Sequence, residues 1–470
     1  MKNKLSLLFA FLLMPVAYSQ VYQWGEKFEF DAVAEMDPTF VLKDNYNTYL
    51  FTAMDFGGLM AKHQMVLRKF DQKNKLVETF TYDFPKFDPN TLQDYLGFAE
   101  GTNGKLAVFT KTYSKKALKC VIYKHEFDKA TSKFTSTELL STPIVSNSKS
   151  GDALLQKSES GLFTAINYRP QKEKDGPEKN IVMVIDDKLN VSWQKEFQFT
   201  DKFFTESFAV SPSGKVVLKR KASGWKVSHY LVYTSADMQD VRNIEAEVVL
   251  HQPHVIAIGS QEYVLVFNYP AKGLRSGDFG NLLLYDLQNG RTLSNSKMGE
   301  LNPGNAEDIL MRHIAVENNE ITIFTEAKVE VKLPAGAPTP GPGEIGFMEK
   351  TYDYGPSNVV VLNIDGSLKN IGKLAVDNGR AKIFHSYGLV NIKGDYWINT
   401  ADQNGFYKYA DSTKKVNFGY NYTDGDQYRN QSWQYIKQLV TYYPDTNKIV
   451  LVRLSNKTEM SLVSVTGIPQ

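Results

Sequence analysis

One pattern of apolar and polar positions repeats along the chain: a strand-like run, a tight polar turn, then a strongly apolar run. It appears first as Phe40-Val41-Leu42 turning through Asp44 to Asn47 into Tyr49-Leu50-Phe51. It returns as Tyr95-Leu96-Gly97-Phe98, Gly101 to Gly104, and Leu106-Ala107-Val108-Phe109. Further copies turn at Ser160-Gly161, Pro212-Ser213-Gly214, Ser260-Gln261, Asn318-Asn319, Lys393-Gly394 and Asp445 to Asn447. Short alternating runs bounded by Gly, Asn, Asp and Pro are the mark of half-buried strands. No convincing amphipathic helix interrupts them, and Thr91 to Tyr95 offers one helical turn at most.

Several of these hairpins lead into a second one. Ile181-Val182-Met183-Val184-Ile185 turns through Asp186 to Asn190 into Trp193 to Phe197, and Val359 to Leu362 turns at Asp365-Gly366. Val66 to Phe70 and Leu282 to Tyr285 behave in the same way. Asp, Asn and Gly suit such turns because they tolerate positive φ and bond locally to the backbone. Two hairpins make four strands, and a period of roughly 45–60 residues is that of a propeller blade. The expected fold is therefore all-β, a single β-propeller of about eight four-stranded blades. Seven blades with an irregular extension is the alternative count, and two stacked β-sandwiches come third. One strand remains near each end, Lys27 to Val33 and Met460 to Val465. Their pairing would complete the last blade and close the ring, removing exposed sheet edges.

The Ile181 to Trp193 hairpin resembles the outer hairpins of bacterial quinoprotein-like propellers, and Val359 to Gly366 is similar. The resemblance is to the propeller superfold and covers most of the chain. The regular tryptophan pattern of quinoprotein propellers does not recur in the other blades, so their cofactor is not carried over. A superfold that hosts many functions supplies no activity by itself.

Composition adds a compartment. Lys2 and Lys4 precede an apolar run from Leu5 to Leu13, and Ala17-Tyr18-Ser19 puts small residues at the cleavage positions before Gln20. That is the pattern of a secretory signal, with a run too short to span a bilayer. Residues 1–19 are thus expected to be a signal peptide, 20–470 the propeller, and the product exported to the periplasm or cell exterior. The formal charge of +2 and the scattered basic residues leave no nucleic-acid footprint. No later stretch reads as a membrane span, and the expected state is a monomer. Cys120 is the single cysteine, so no intramolecular disulfide can form; its strand setting predicts a core residue.

In a propeller, loops joining second and third strands emerge with the links between blades, and hairpin turns emerge at the other end. Three long loops fall in the first group: Arg169 to Lys179, Pro270 to Gly280, and Leu333 to Gly355 with its Pro/Gly-rich stretch. Long loops in a compact fold mark function or tethering. The link before the last blade carries Tyr422, Asp424, Asp426, Tyr428, Arg429 and Trp433, whose aromatic and charged groups suit sugar rings or peptide side chains. Asp424-Gly425-Asp426 could offer two carboxylates to calcium, which takes about six to eight oxygens. His251-Gln252-Pro253-His254 is the closest histidine pair, with Pro253 opposing helical presentation and no third ligand beside it. No catalytic residues and no cofactor can be named. These features predict a non-catalytic exported protein presenting a loop-rich face to a protein, peptide or glycan. The alternative is a glycan hydrolase or lyase with an axial site.

Overall fold

The computed structural model describes residues 21–30, 35–44, 46–54, 64–172, 176–222, 229–244, 248–270, 280–298, 308–330, 352–374, 387–399, 405–409, 411–417, 434–456 and 459–466. Strand β1 spans Val21–Glu29. The first full blade holds β2 (Glu35–Val41), β3 (Thr48–Met54), β4 (Gln64–Phe70) and β5 (Leu76–Asp83). The second holds β6 (Leu92–Glu100), β7 (Lys105–Ser114), β8 (Lys119–Asp128) and β9 (Lys133–Pro143). The third holds β10 (Asp152–Lys157), β11 (Thr164–Arg169), β12 (Glu178–Ile185) and β13 (Val191–Phe199). The fourth holds β14 (Phe203–Val210), β15 (Val216–Ala222), β16 (His229–Thr234) and β17 (Gln239–Asn243). In the fifth, β18 (Val248–Leu250) and β19 (His254–Ile258) share the inner position beside β20 (Gln261–Pro270), followed by β21 (Asn281–Asp286) and β22 (Arg291–Lys297). The sixth holds β23 (Asp308–Glu317), β24 (Glu320–Glu330), β25 (Tyr352–Asn363) and β26 (Leu368–Lys373). The seventh holds β27 (Gly388–Ile392), β28 (Asp395–Asn399), β29 (Gly405–Lys408) and β30 (Asp411–Asn417). The last holds β31 (Gln434–Tyr443), β32 (Lys448–Asn456) and β33 (Glu459–Thr466).

These are the antiparallel blades of an eight-bladed β-propeller, each with its strands in chain order. The final blade is completed by β1, which pairs with β33 from Val21↔Thr466 to Glu29↔Glu459. The N-terminal strand thus begins earlier than Lys27 and fills the expected place. Three expectations shift. Thr91 to Tyr95 is not a helical turn, because β6 begins at Leu92 and pairs with β7 from Leu92↔Tyr113. Tyr352 to Gly355 belongs to β25, not to the preceding loop, because pairing with β24 carries that strand back to Tyr352. Arg169, Glu178 and Lys179 are likewise strand ends.

Internal packing divides the chain into two compact units: Met1–Asp55, Met65–Thr81 and Tyr387–Gln470; and Phe56–Gln64 with Tyr82–Ser386. In the first unit, Asn74 closes a tight turn at φ 61° and donates from Nδ2 to the Gln23 carbonyl (2.8 Å) and Ser464 Oγ (2.9 Å). It thereby fastens the completed blade to the turn after β4. A side chain at Gly25 would meet the Asn74 carbonyl at 2.2 Å, so the strand needs glycine there. Ile449, Leu451 and Val465 of the last blade share a core with Trp397 of the seventh.

In the second unit the cores lie between successive blades. Phe109, Ile122, Ile166 and Met183 join the second and third; Val182, Phe197, Phe208 and Leu218 join the third and fourth. Leu231, Tyr233, Val264 and Tyr285 join the fourth and fifth, and Leu265, Leu284, Ile323 and Val360 the fifth and sixth. A middle strand covered on both faces is apolar on both, as at Val216 to Leu218, and charges buried beyond them, Lys219 and Arg220, need partners. Outer strands are covered on one face only, and β17 alternates exposed and half-buried positions. Cys120 packs in this core as expected, and burial pushes its thiol up to about 11.

Candidate ligand-binding cleft

The six residues singled out in the link before the last blade, Tyr422, Asp424, Asp426, Tyr428, Arg429 and Trp433, lie outside the described residues, and the calcium reading of Asp424 and Asp426 lies there with them. The signal-peptide segment does too, as does most of the second and third long loops. Arg169 to Lys179 is described apart from 173–175. The histidine pair diverges. The His251 ring faces Tyr269 at 5.6 Å, whereas His254 Nδ1 lies 2.6 Å from Glu159 Oε1. Among the described residues, no group of three or more His, Cys, Asp or Glu is placed to hold a metal ion.

A cleft of about 720 Å³ opens where the third and fourth blades present their loop ends. The end of β11 gives it Arg169, the loop beyond gives Pro170 and Lys172, the link before β14 gives Asp201, and the start of β14 gives Phe203 and Phe204. Ser148, Gly151 and Asp152 form another wall, from the link into β10. This is the strand end at which the sequence placed the binding side.

The cleft floor rests on Arg220. Register pairs Arg220 of β15 with Thr205 of β14. Alternation along the strand turns Arg220 towards the third blade and Lys219 towards the fifth. Arg220 is fully buried and uses its whole donor fork. Nη1 donates to Glu178 Oε2 (2.8 Å) and Thr205 Oγ1 (2.9 Å). Nη2 donates to Asp201 Oδ1 (2.7 Å) and the Phe203 carbonyl (2.9 Å), and Nε to Tyr230 OH (2.7 Å). The Phe199 ring lies 3.6 Å from the guanidinium carbon. Glu178 Oε1 in turn accepts from the Thr205 amide (2.9 Å). Tyr230 donates to the other Asp201 oxygen. Burial alone would raise the Asp201 pKa, but its bonds from Tyr230 and Arg220 prevail and hold it below the usual carboxylate range. The Tyr230 hydroxyl, buried and bonded to Asp201, is pushed up to about 12.

Sequence reasoning missed a device repeated through three consecutive blades. An acid on the inner strand pairs with a base on the second strand, and the base reaches a backbone carbonyl of the next blade. Asp94 Oδ2 lies 2.8 Å from Lys111 Nζ, which donates to the Gly151 carbonyl (2.7 Å). Asp152 Oδ2 lies 3.5 Å from Arg169 Nη2, and Arg169 Nη1 donates to the Thr205 carbonyl. Glu206 Oε2 lies 2.7 Å from Lys219 Nζ, which donates to the Leu250 (2.8 Å) and His251 (2.9 Å) carbonyls. Glu206 is the extra residue of a β-bulge between Thr205 and Ser207, and so turns away from Thr205. Despite burial, the nearby His229 ring, with Nε2 3.8 Å away, and the bonded, charged Lys219 hold its carboxyl well below the usual range. The available signal was an acid and a base at facing positions of one hairpin, such as Asp94↔Lys111 and Asp152↔Arg169.

No protein-family model matches the chain, and no curated protein does. Among solved structures it is similar to the acylaminoacyl peptidase of Pyrococcus horikoshii, at 9% identity and a TM-score of 0.39, over 91% of this chain and 58% of that one. The chain therefore spans a little over half of that peptidase. It is also similar to the β-propeller domain of the trilobed protease from Pyrococcus furiosus, at 11% identity and a TM-score of 0.39, over 83% and 96% of the two chains. A third is the cobalt-substituted Synechocystis apocarotenoid oxygenase, at 8% identity and a TM-score of 0.36, over 76% and 94%. Among the described residues, no helix is long and apolar enough to cross a membrane.

Proposed function

We propose that this chain is an exported binding or scaffold protein that holds a protein, peptide or glycan in the cleft between the third and fourth blades. The observation that carries this reading is the fixed floor. Arg220 holds Glu178, Thr205, Asp201 and Tyr230 in one bonded set, with Phe203 and Phe204 beside it. A pocket whose polar groups are already locked binds with little ordering cost. The charge state of Asp201 also fits binding better than acid catalysis. A general acid works best with its pKa raised towards the operating pH, and Asp201 is held in the opposite direction. Export is supported by Lys2, Lys4, the Leu5 to Leu13 run and Ala17-Tyr18-Ser19.

The test is a thermal-shift scan of the full chain after secretion, against peptide pools and defined glycans. A ligand bound only by the folded state stabilises it by about 2.7 kcal/mol at a hundredfold excess over its dissociation constant. The expected result is a shift with one class that disappears in Phe204→Ala. A shift that survives unchanged in Phe204→Ala would place binding elsewhere, and turnover of a glycan abolished by Asp201→Asn would favour a glycan-processing enzyme.

A further inference from the structure

Resting on the reading of this cleft as a binding site, we infer that its ligand is an acidic polypeptide segment carrying apolar side chains. The charges at the cleft are unevenly used. Its acids are paired with fixed cations: the exposed Asp152 with Arg169, and the buried Glu178 and partly exposed Asp201 with Arg220. Exposed lysines stand outside these pairs: Lys172 in the lining and Lys149 beside Ser148. Two more exposed lysines, Lys115 and Lys116, sit on the β7–β8 turn. That turn is stitched to the cleft wall. The Lys115 amide donates to Asn147 Oδ1 (2.6 Å), and the Ile144 amide to the Leu118 carbonyl (3.1 Å).

The apolar part of this surface is exposed where a folded chain would normally bury it. Leu118 is 59% exposed, Val145 69% and Phe204 42%. Leu118 and Val145 flank the stitched link, and Val145 precedes the cleft-lining Ser148 by three residues, at most about 11 Å along the chain. Of these anchors only Phe204 offers a flat ring on which a sugar could stack; Leu118 and Val145 match the side chains of a peptide. Apolar anchors within a cationic rim therefore complement alternating acidic and apolar residues, and the rim charges steer and select the partner.

The inference is tested with three fluorescein-labelled decapeptides of alternating Leu and Glu, Leu and Ser, or Leu and Lys, together with a labelled oligogalacturonate, by anisotropy on the full chain. The Leu/Glu peptide should bind roughly tenfold tighter than Leu/Ser, with Leu/Lys weakest, and the preference should shrink as salt rises from about 50 to 200 mM. Lys149→Glu with Lys172→Glu should remove that preference, and Phe204→Ala should weaken both bound peptides roughly fivefold. Lys188→Glu, at the opposite strand end of the third blade, should change nothing. Equal binding of Leu/Ser and Leu/Glu, both lost in Phe204→Ala, overturns the acidic preference and leaves the binding cleft standing. Tighter binding of oligogalacturonate than of any peptide overturns the polypeptide assignment in favour of an anionic glycan. Binding of all probes that is indifferent to Phe204→Ala overturns the cleft itself, and failure of all four to bind overturns the inference for this ligand class.

Discussion

The two strand ends of the larger unit are held by different chemistry. At the turn end, neutral and acidic side chains satisfy the backbone of their own turn. Asp186 Oδ1 accepts from the amides of Lys188 (2.9 Å) and Asn190 (2.8 Å), and Ser211 Oγ from that of Lys215 (3.0 Å). Asp286 and Asp365 do the same for Asn289 and Ser367. Some bonds also link neighbouring turns, such as Asn103 Nδ2 to the Lys188 carbonyl (3.1 Å) and Trp193 Nε1 to the Gly214 carbonyl (2.9 Å). At the loop end, acid-paired cations of the second strands reach the next blade: Lys111 to Gly151, Arg169 to Thr205, Lys219 to Leu250. A turn that closes on itself can be short and uniform. An end whose floor is fixed from the neighbouring blade leaves its loops able to vary without loosening the site beneath them.

The comparison makes its largest prediction at Arg220. Arg220→Ala strands Glu178 and Thr205 beneath the cleft without their cation, and breaking one partner of a buried ion pair costs about 3–5 kcal/mol. Urea unfolding of the purified chain should show a loss of that size, together with loss of the ligand-induced shift. Arg220→Met, which fills the volume without restoring the charge, should still lose ligand binding. A loss below about 1 kcal/mol for Arg220→Ala would mean the floor is not held from the fourth blade, and the contrast between the ends would fall.

The turn end was legible in the sequence because its causes are local. Asp186 and Asn190 are four residues apart, and Gly366 follows Asp365 in a tight turn at φ 81°. Blade count and blade order followed from the same turns. The place of β1 followed from counting strands, although its start at Val21 did not, because edge pairing and not composition sets it. The loop end was legible only as a direction. Arg169 to Lys179 was marked by its length and charge, and its described part does line the cleft. Arg220 was not found, because Glu178 lies 42 residues away and nothing near Arg220 in the sequence announces it. The Asp424 and Arg429 region rested on clustering alone and lies outside the described residues.

Glu206 sharpens the contrast through pH. Its folded pKa is depressed, so its contribution is present above the ordinary value of 4.5 and is lost as pH falls towards the folded pKa. Near neutral pH, Glu206→Gln should cost about 1.5–3 kcal/mol, the range for hydrogen bonds to charged groups. The gap between the two proteins should narrow steadily below about pH 4.5, because acid removes from the parent what the substitution has already removed. Unfolding midpoints measured from pH 7 to pH 3 check this, and a gap of constant size would show that the Glu206 carboxylate is not the group that ties β14 to Lys219.

Asp186 should give the smallest effect, and its smallness is the point. Asp186→Ala removes two acceptor bonds to amides that lie at the surface, where water replaces the lost partner, so the cost should be about 1 kcal/mol. Asp186→Asn keeps an acceptor oxygen in place and should recover most of that. Neither substitution should alter ligand affinity, because the turn lies at the far end of β12 from Glu178. A change in affinity on Asp186→Ala, measured in the same titration as the loop-end variants, would mean that the ends are coupled along the strands. The third blade would then respond as a rigid lever, and the turns would belong to the site as much as the loops do.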